Sequence, residues 1–303
     1  MTLRTLLTAQ KGKLALLVGN GINRYGPEVK ANSWDDLLNT LARKHLNPSH
    51  KQVPPGISLT EFYDVLELAN KGGKSESGSE PYLQKQFCDL MSGWLPLAQH
   101  QRIARWAQAH TVPVLTTNFE STLGDAVQAK LHHAKGVSFT AYYPWESCYS
   151  AAPVDDPCSQ FAVWHLNGMQ RYRQSVRLGL SHYMGSVERA RNWLHKGSNR
   201  LSAGGDPRDW AGAKTWLQVL FHQPLLIFGL ALAENEVFLR WLLIERAKYH
   251  RKFKDRAQPA WYVHTAGEKD LGKLFFLSGV GVQPFKVESY DEIYGEGIWS
   301  LTG

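Results

Sequence analysis

Short apolar runs alternate with helical periodicities along most of the chain. Residues 14–18 (LALLV), 112–115 (VPVL), 161–165 (FAVWH) and 225–228 (LLIF) are too short for helices and dense enough in apolar side chains to be buried strands. Residues 176–180, 260–264 and 280–285 fit further strands. Between them the period changes. Ser33 precedes Trp34, Leu37, Leu38 and Leu41, a capped helix with one apolar face. Ser58 and Glu61 have capping-box spacing before Phe62, Val65, Leu66 and Leu68. Helices are also expected near 81–93, 99–109, 118–132, 181–196, 209–222, 234–249 and 268–277. The pattern predicts an α/β fold in one domain over residues 1–303: a doubly wound, mostly parallel Rossmann-like sheet with a helical insertion at about 33–110. Residues 71–80 (KGGKSESGSE) and 197–207 read as loose loops, and no internal repeat is present.

Composition narrows the partners. The formal net charge of +7 favours anionic ligands such as nucleotides, but it is not gathered in a tail and no recognition motif accompanies it, so nucleic acid is not expected as a partner. The densest basic stretch, 246–256, reads as a helix end with its loop. The 11 Trp and 12 Tyr suit large packed surfaces and a subunit interface. Three Cys without a CxxC pair give neither a disulfide framework nor a zinc ribbon, so no metal is expected and the thiols suit a reducing cytosol. The N-terminal stretch is too polar for a signal peptide, and the most apolar run, 224–233, is about half a bilayer span, so a soluble cytoplasmic protein is expected, with no membrane partner.

The strand ends carry the chemistry. Residues 14–18 stop in Gly19-Asn20-Gly21-Ile22-Asn23, where glycine lets a backbone approach a ligand and a following helix start offers N–H groups to a pyrophosphate. The third glycine of the dinucleotide fingerprint is absent, as is a GK[ST] loop, so a purely structural turn stands beside the nucleotide reading. Residues 112–115 stop in Thr116-Thr117-Asn118-Phe119-Glu120. There Asn118 is either a helix cap or an amide orienting a ribose hydroxyl, a carboxamide or a water. Residues 161–165 end in His165, followed by Leu166, Asn167 and Gly168. His165 is either a hydrogen-bonded structural group or a general base. Residues 225–228 turn at Gly229 before an acidic helix start.

Taken in order, GNGIN, TTNFE, HLNG and FGLALAENE resemble the sirtuin-like NAD-hydrolase proteins of prokaryotic antiphage defence, over most of the chain from Leu14 to Tyr249. The resemblance implies a GxG turn at Gly19 and Gly21 that cradles NAD phosphates, with Asn20, Ile22 and Asn23 around it. It further implies a catalytic Asn118 flanked by Thr117, with Glu120 against the carboxamide, and Gly229 near the adenosine ribose. Two departures stand out. The four-Cys zinc module of deacylase sirtuins cannot be built here, so lysine deacylation is not expected. The family places its catalytic His directly before the glycine, where this chain has Asn167, with His165 two positions earlier. Positions two apart on a strand share a face, so either could serve the crevice, but an amide cannot take a proton from water at neutral pH.

The resemblance thus implies an NAD glycohydrolase that cleaves NAD, as substrate, to nicotinamide and ADP-ribose and depletes it during antiphage defence. Assembly with itself or with a partner subunit of a defence complex is implied too. The alternative is a catalytically impaired subunit that binds NAD or ADP-ribose without turnover.

Overall fold

The computed structural model describes residues 2–26, 33–70, 82–133, 143–233 and 236–300. The loop expected at 71–80, Pro81 at the start of one expected helix, and Glu234 with Asn235 lie outside these residues.

The chain opens with helix α1 (Leu3–Ala9), which the apolar pattern did not signal. Strand β1 (Ala15–Val18) follows and leads into a 3-10 turn, Asn20–Arg24. Four helices then precede the next strand: α2 (Trp34–His45), α3 (Leu59–Ala69), α4 (Tyr82–Leu90) and α5 (Ala98–Ala109). The expected caps form. Ser33 accepts from the Asp36 N–H at 3.2 Å, and Ser58 and Glu61 complete a reciprocal capping box. The second half comprises β2 (Val114–Thr116), α6 (Thr122–Asp125), β3 (Lys130–His133), β4 (Ser147–Ser150), β5 (Val163–His165), α7 (Leu180–His195), α8 (Trp216–His222), β6 (Leu225–Phe228), α9 (Val237–Lys252), β7 (Ala260–Thr265), α10 (Leu271–Gly279), β8 (Val282–Val287) and α11 (Asp291–Tyr294).

The eight strands of the described residues form one sheet in the order β3-β4-β5-β2-β1-β6-β7-β8. From β5 to β8 every pairing is parallel; at one edge β4 runs antiparallel to both of its neighbours, β3 and β5. Without that edge the order is the doubly wound Rossmann order, in which the chain builds outward from one side of its first strand, then crosses over and builds from the other. Strands β1, β2, β5 and β6 are buried along their whole length, as parallel strands covered on both faces must be. One apolar core lies on each face, and a third packs α2, α3 and α4 on Phe119, Val176 and Leu178.

Three expectations are corrected. Residues 118–132 are not one helix: only Thr122–Asp125 is helical, Gln128 turns the chain at φ +54, and β3 begins at Lys130. Of residues 176–180, 176–179 lie outside any helix and pair with no strand among the described residues, and Leu180 already opens α7. Val176 and Leu178 point into the helical-layer core, and the neighbouring backbone is bound irregularly, Arg177 N–H to Asn167 O at 2.8 Å and Gln84 Nε2 to Val176 O at 2.8 Å. The helix expected from 209 begins only at Trp216, where Thr215 caps it by accepting from Leu217 N–H at 3.2 Å. Among the described residues no helix is long and apolar enough to cross a membrane.

Candidate functional site

In a doubly wound sheet the loops at the carboxyl ends of the strands splay apart where the winding reverses, leaving a crevice. Here that crevice is a cavity of about 470 Å³, the size range of small-molecule and cofactor pockets. Asn20, Gly21, Thr117, Asn118, Glu120, Asn167 and Gly229 all border it. Residues from four strand ends far apart in sequence therefore meet in one place. His165, Gly19, Ile22, Asn23 and Gly168 do not reach its wall.

The glycines of the first and fourth strand ends hold two backbones together. Gly19 N–H donates to Phe228 O at 3.0 Å and Gly21 N–H to Gly229 O at 2.8 Å, so both donors are used within the protein. A Cβ at Gly21 would lie 2.7 Å from Gly229 Cα and 2.8 Å from the Tyr294 hydroxyl, and one at Gly229, itself at φ +71, would lie 2.6 Å from that hydroxyl. The two turns interlock, and glycine is required because the backbones touch. A ligand here meets close-set backbone and the Asn20 side chain. Gly168, at φ +92, has its backbone against Ser175 and serves the turn after β5.

Asn118 follows β2. Its backbone N–H donates to Thr116 Oγ1 at 3.1 Å, and Thr116 Oγ1 donates to Val18 O at 2.9 Å, which fixes the loop to β1. The Asn118 side chain is no helix cap. The residue is 95% buried, and neither Oδ1 nor Nδ2 makes a hydrogen bond of proper geometry, although the amide lies close enough to Glu120 to help hold its carboxyl down. A buried amide left unbonded costs about 1–3 kcal/mol. The indole N–H of Trp34, another residue bordering the cavity, is likewise buried and unbonded.

His165 lies behind this wall. Its Nδ1 donates to the Asn118 carbonyl oxygen at 2.8 Å, which fixes the tautomer and leaves Nε2 a bare acceptor, buried without a partner. Burial lowers its pKa to about 4, so the ring is neutral at physiological pH. The strand-face argument that could have brought His165 to the crevice fails, because β5 ends at this residue and its ring turns under the Asn118 loop. Asn167 is on the wall, with Nδ2 3.4 Å from Thr117 O and its backbone carbonyl held by Arg177 N–H.

Glu120 is buried, and burial raises its pKa against the pull of its donors. Its Oε1 accepts from Asn23 Nδ2 at 2.8 Å and from Thr122 Oγ1 at 3.3 Å. Asn23 Nδ2 also donates to Asn20 Oδ1 at 2.8 Å. Asn23 thus serves the site from one layer back.

Several residues on the wall carried no sequence signal. Trp34, Leu37, Phe87, Met91 and Trp94 form an apolar face contributed by the helical layer, and Phe119 meets Trp34 and Phe87 edge-on at 6.0 and 5.6 Å. On the far side Lys273 donates to Ala231 O at 3.1 Å and to Glu268 at short range, and lies over the Tyr262 ring. Glu236 faces the cavity there, its pKa raised by burial. A lone Trp on a helix or a Glu and Lys five apart has no pattern that separates it from ordinary core and surface. Among the described residues no cluster of His, Cys, Asp and Glu is placed to hold a metal.

Fold and site together define a Rossmann-ordered α/β protein with one polar-floored crevice at its winding switch. No protein-family model and no curated protein matches the chain.

Proposed function

We propose that the protein is a sirtuin-like NAD glycohydrolase, cleaving NAD to nicotinamide and ADP-ribose. The observation that carries the reading is the Asn118 amide: buried, unbonded and bordering the crevice of a Rossmann-ordered sheet. NAD suits the cavity's division. The adenosine half goes to the β6–β7 side beside Gly229, the pyrophosphate crosses the interlocked turns by Asn20, and the nicotinamide ribose meets Asn118. The apolar face of Trp34, Phe87 and Phe119 takes the flat pyridine ring. Departure of the cationic base leaves an oxocarbenium-like ribose, so catalysis consists mainly of orienting the ribose and admitting one water. Asn118 does the orienting. His165 acts as its support rather than as a base, since its only polar contact in the region is with the Asn118 backbone.

By the same resemblance, the setting is the prokaryotic cytoplasm, the role is NAD depletion in antiphage defence, and the working form is an assembly of the chain with itself or a partner subunit. The test is nicotinamide release from NAD, read by mass spectrometry. Asn118→Ala is expected to lose it, and release that survives this change sinks the assignment.

A second reading rests on Asn167. An amide stands on the wall where the family has its imidazole, which fits a subunit that holds NAD or ADP-ribose without turnover. It predicts ADP-ribose binding with no nicotinamide release by the wild type, and release gained by Asn167→His.

A further inference from the structure

We infer that Glu120 is the proton acceptor of this cavity, held in place by a buried relay that runs from His100 through Asn23. The inference rests on the hydrolase reading and supplies what that reading lacks, a base within the crevice.

The relay is fixed in direction from its far end. Leu97 N–H donates to His100 Nδ1 at 3.0 Å, so Nδ1 is the acceptor and the ring proton sits on Nε2. His100 Nε2 then donates to Asn23 Oδ1 at 2.9 Å. With Oδ1 assigned, Asn23 Nδ2 must point the other way, and it donates to Glu120 Oε1 at 2.8 Å and to Asn20 Oδ1. His100 is fully buried and burial lowers its pKa to about 4, so the relay carries no charge of its own. Its members come from α5, the 3-10 turn and the β2 loop, and each has one available orientation. Such wiring holds a carboxyl without neutralising it, because among the described residues no cation is paired with Glu120.

Other groups are worse placed. His165 is sealed behind Asn118, and Asn167 cannot accept a proton. Among ionisable groups on the surrounding elements, Arg24 and Asp35 lie towards solvent, and Glu236 and Lys273 are on the adenosine side. Glu120 is next to the Asn118 amide itself. In the proposed step a water oxygen bonds to the anomeric carbon of the nicotinamide ribose. The glycosidic C–N bond breaks and its electron pair stays on the departing, now neutral, nicotinamide. The water proton passes to the Glu120 carboxylate and is later released to solvent. General-base assistance of this kind contributes about 10²–10⁴-fold.

The decisive experiment is the pH profile of nicotinamide release by the full chain, with ADP-ribose affinity measured in parallel. Because the carboxyl must be ionised and burial raises its pKa, the wild-type rate should climb with pH through a limb whose midpoint lies above the ordinary carboxylate range. Glu120→Gln keeps an oxygen for Asn23 and should lower kcat by about 100-fold or more, with ADP-ribose affinity within about threefold and the limb abolished. Asn23→Ala removes a donor to the carboxylate and should move the limb to higher pH, a displacement that general loosening of the site does not give. Glu236→Gln should leave the limb in place. Full kcat with the limb retained in Glu120→Gln, or loss of the limb in Glu236→Gln, overturns the assignment while the hydrolase reading stands. A wild type that binds ADP-ribose but releases no nicotinamide overturns both.

Discussion

On the β2–β5 side of the cavity the Asn118 amide makes no hydrogen bond of proper geometry among the described residues, whereas on the β6–β7 side Lys273 is already committed to Glu268 and to the Ala231 carbonyl. The first carries its amide at a cost; on the second the Lys273 ammonium is satisfied before any ligand arrives. Folding stability alone favours the second arrangement, because a buried polar atom without a partner is a net loss. The proposed role of Asn118 in holding the ribose would account for that cost, and the Lys273 cluster would serve as a platform that fixes position.

The strongest way to break this contrast is Asn118→Ala. Nicotinamide release is expected to fall by at least about 100-fold, while the melting temperature stays level or rises because an unbonded buried amide has gone. A variant that loses activity and melts several degrees lower would show that the amide is structural after all.

Gly21→Ala tests the seam between the two sides. The added methyl meets Gly229 Cα and the Tyr294 hydroxyl, both below 3.0 Å. Overpacking of this kind costs about 1–3 kcal/mol, to be read by denaturant unfolding, and ADP-ribose affinity should fall with it. Acid tests the neutral imidazoles of the β2–β5 side. His100 and His165 have pKa values lowered from 6.5 to about 4 by burial, so they bind protons more readily unfolded than folded. The stability they leave intact above pH 6.5 is expected to be lost as pH falls from there towards 4, where the folded rings protonate too. Melting curves across that window check the sign. The smallest effect belongs to the platform. Lys273→Met leaves Glu268 unpaired beside an anionic ligand and should weaken ADP-ribose binding by about two- to fivefold, with kcat unchanged.

The strands that build the crevice were legible because burial on both faces leaves only apolar residues between two punctuation points, as in LALLV before Gly19 and LLIF before Gly229. Strand β3 (KLHH) was not, because an edge strand half open to solvent has neither an apolar run nor clean alternation. Val176 and Leu178 misled for the opposite reason. They alternate as a strand does, yet what they bury against is a helical layer. At the site the loops were readable one at a time, but the fate of each hydrogen-bonding group was not. Nothing in the sequence around Gly21 tells that its N–H is spent on Gly229, or that the His165 ring turns away from the cavity. Nor does it connect His100 to Asn23, which only packing of α5 against the first turn brings within 2.9 Å.

The interlock of Gly21 with Gly229 also bears on how the cavity comes into being. Both its lips depend on a contact between the first strand's turn and a loop in the last third of the chain, and β1 must pair with β6 before either turn has its shape. Closing so long a stretch of chain is slow and comes late. A nascent or truncated chain that has made its first strand and its helical layer therefore has no binding site, so ligand binding during refolding is a readout of the crossover that completes the sheet.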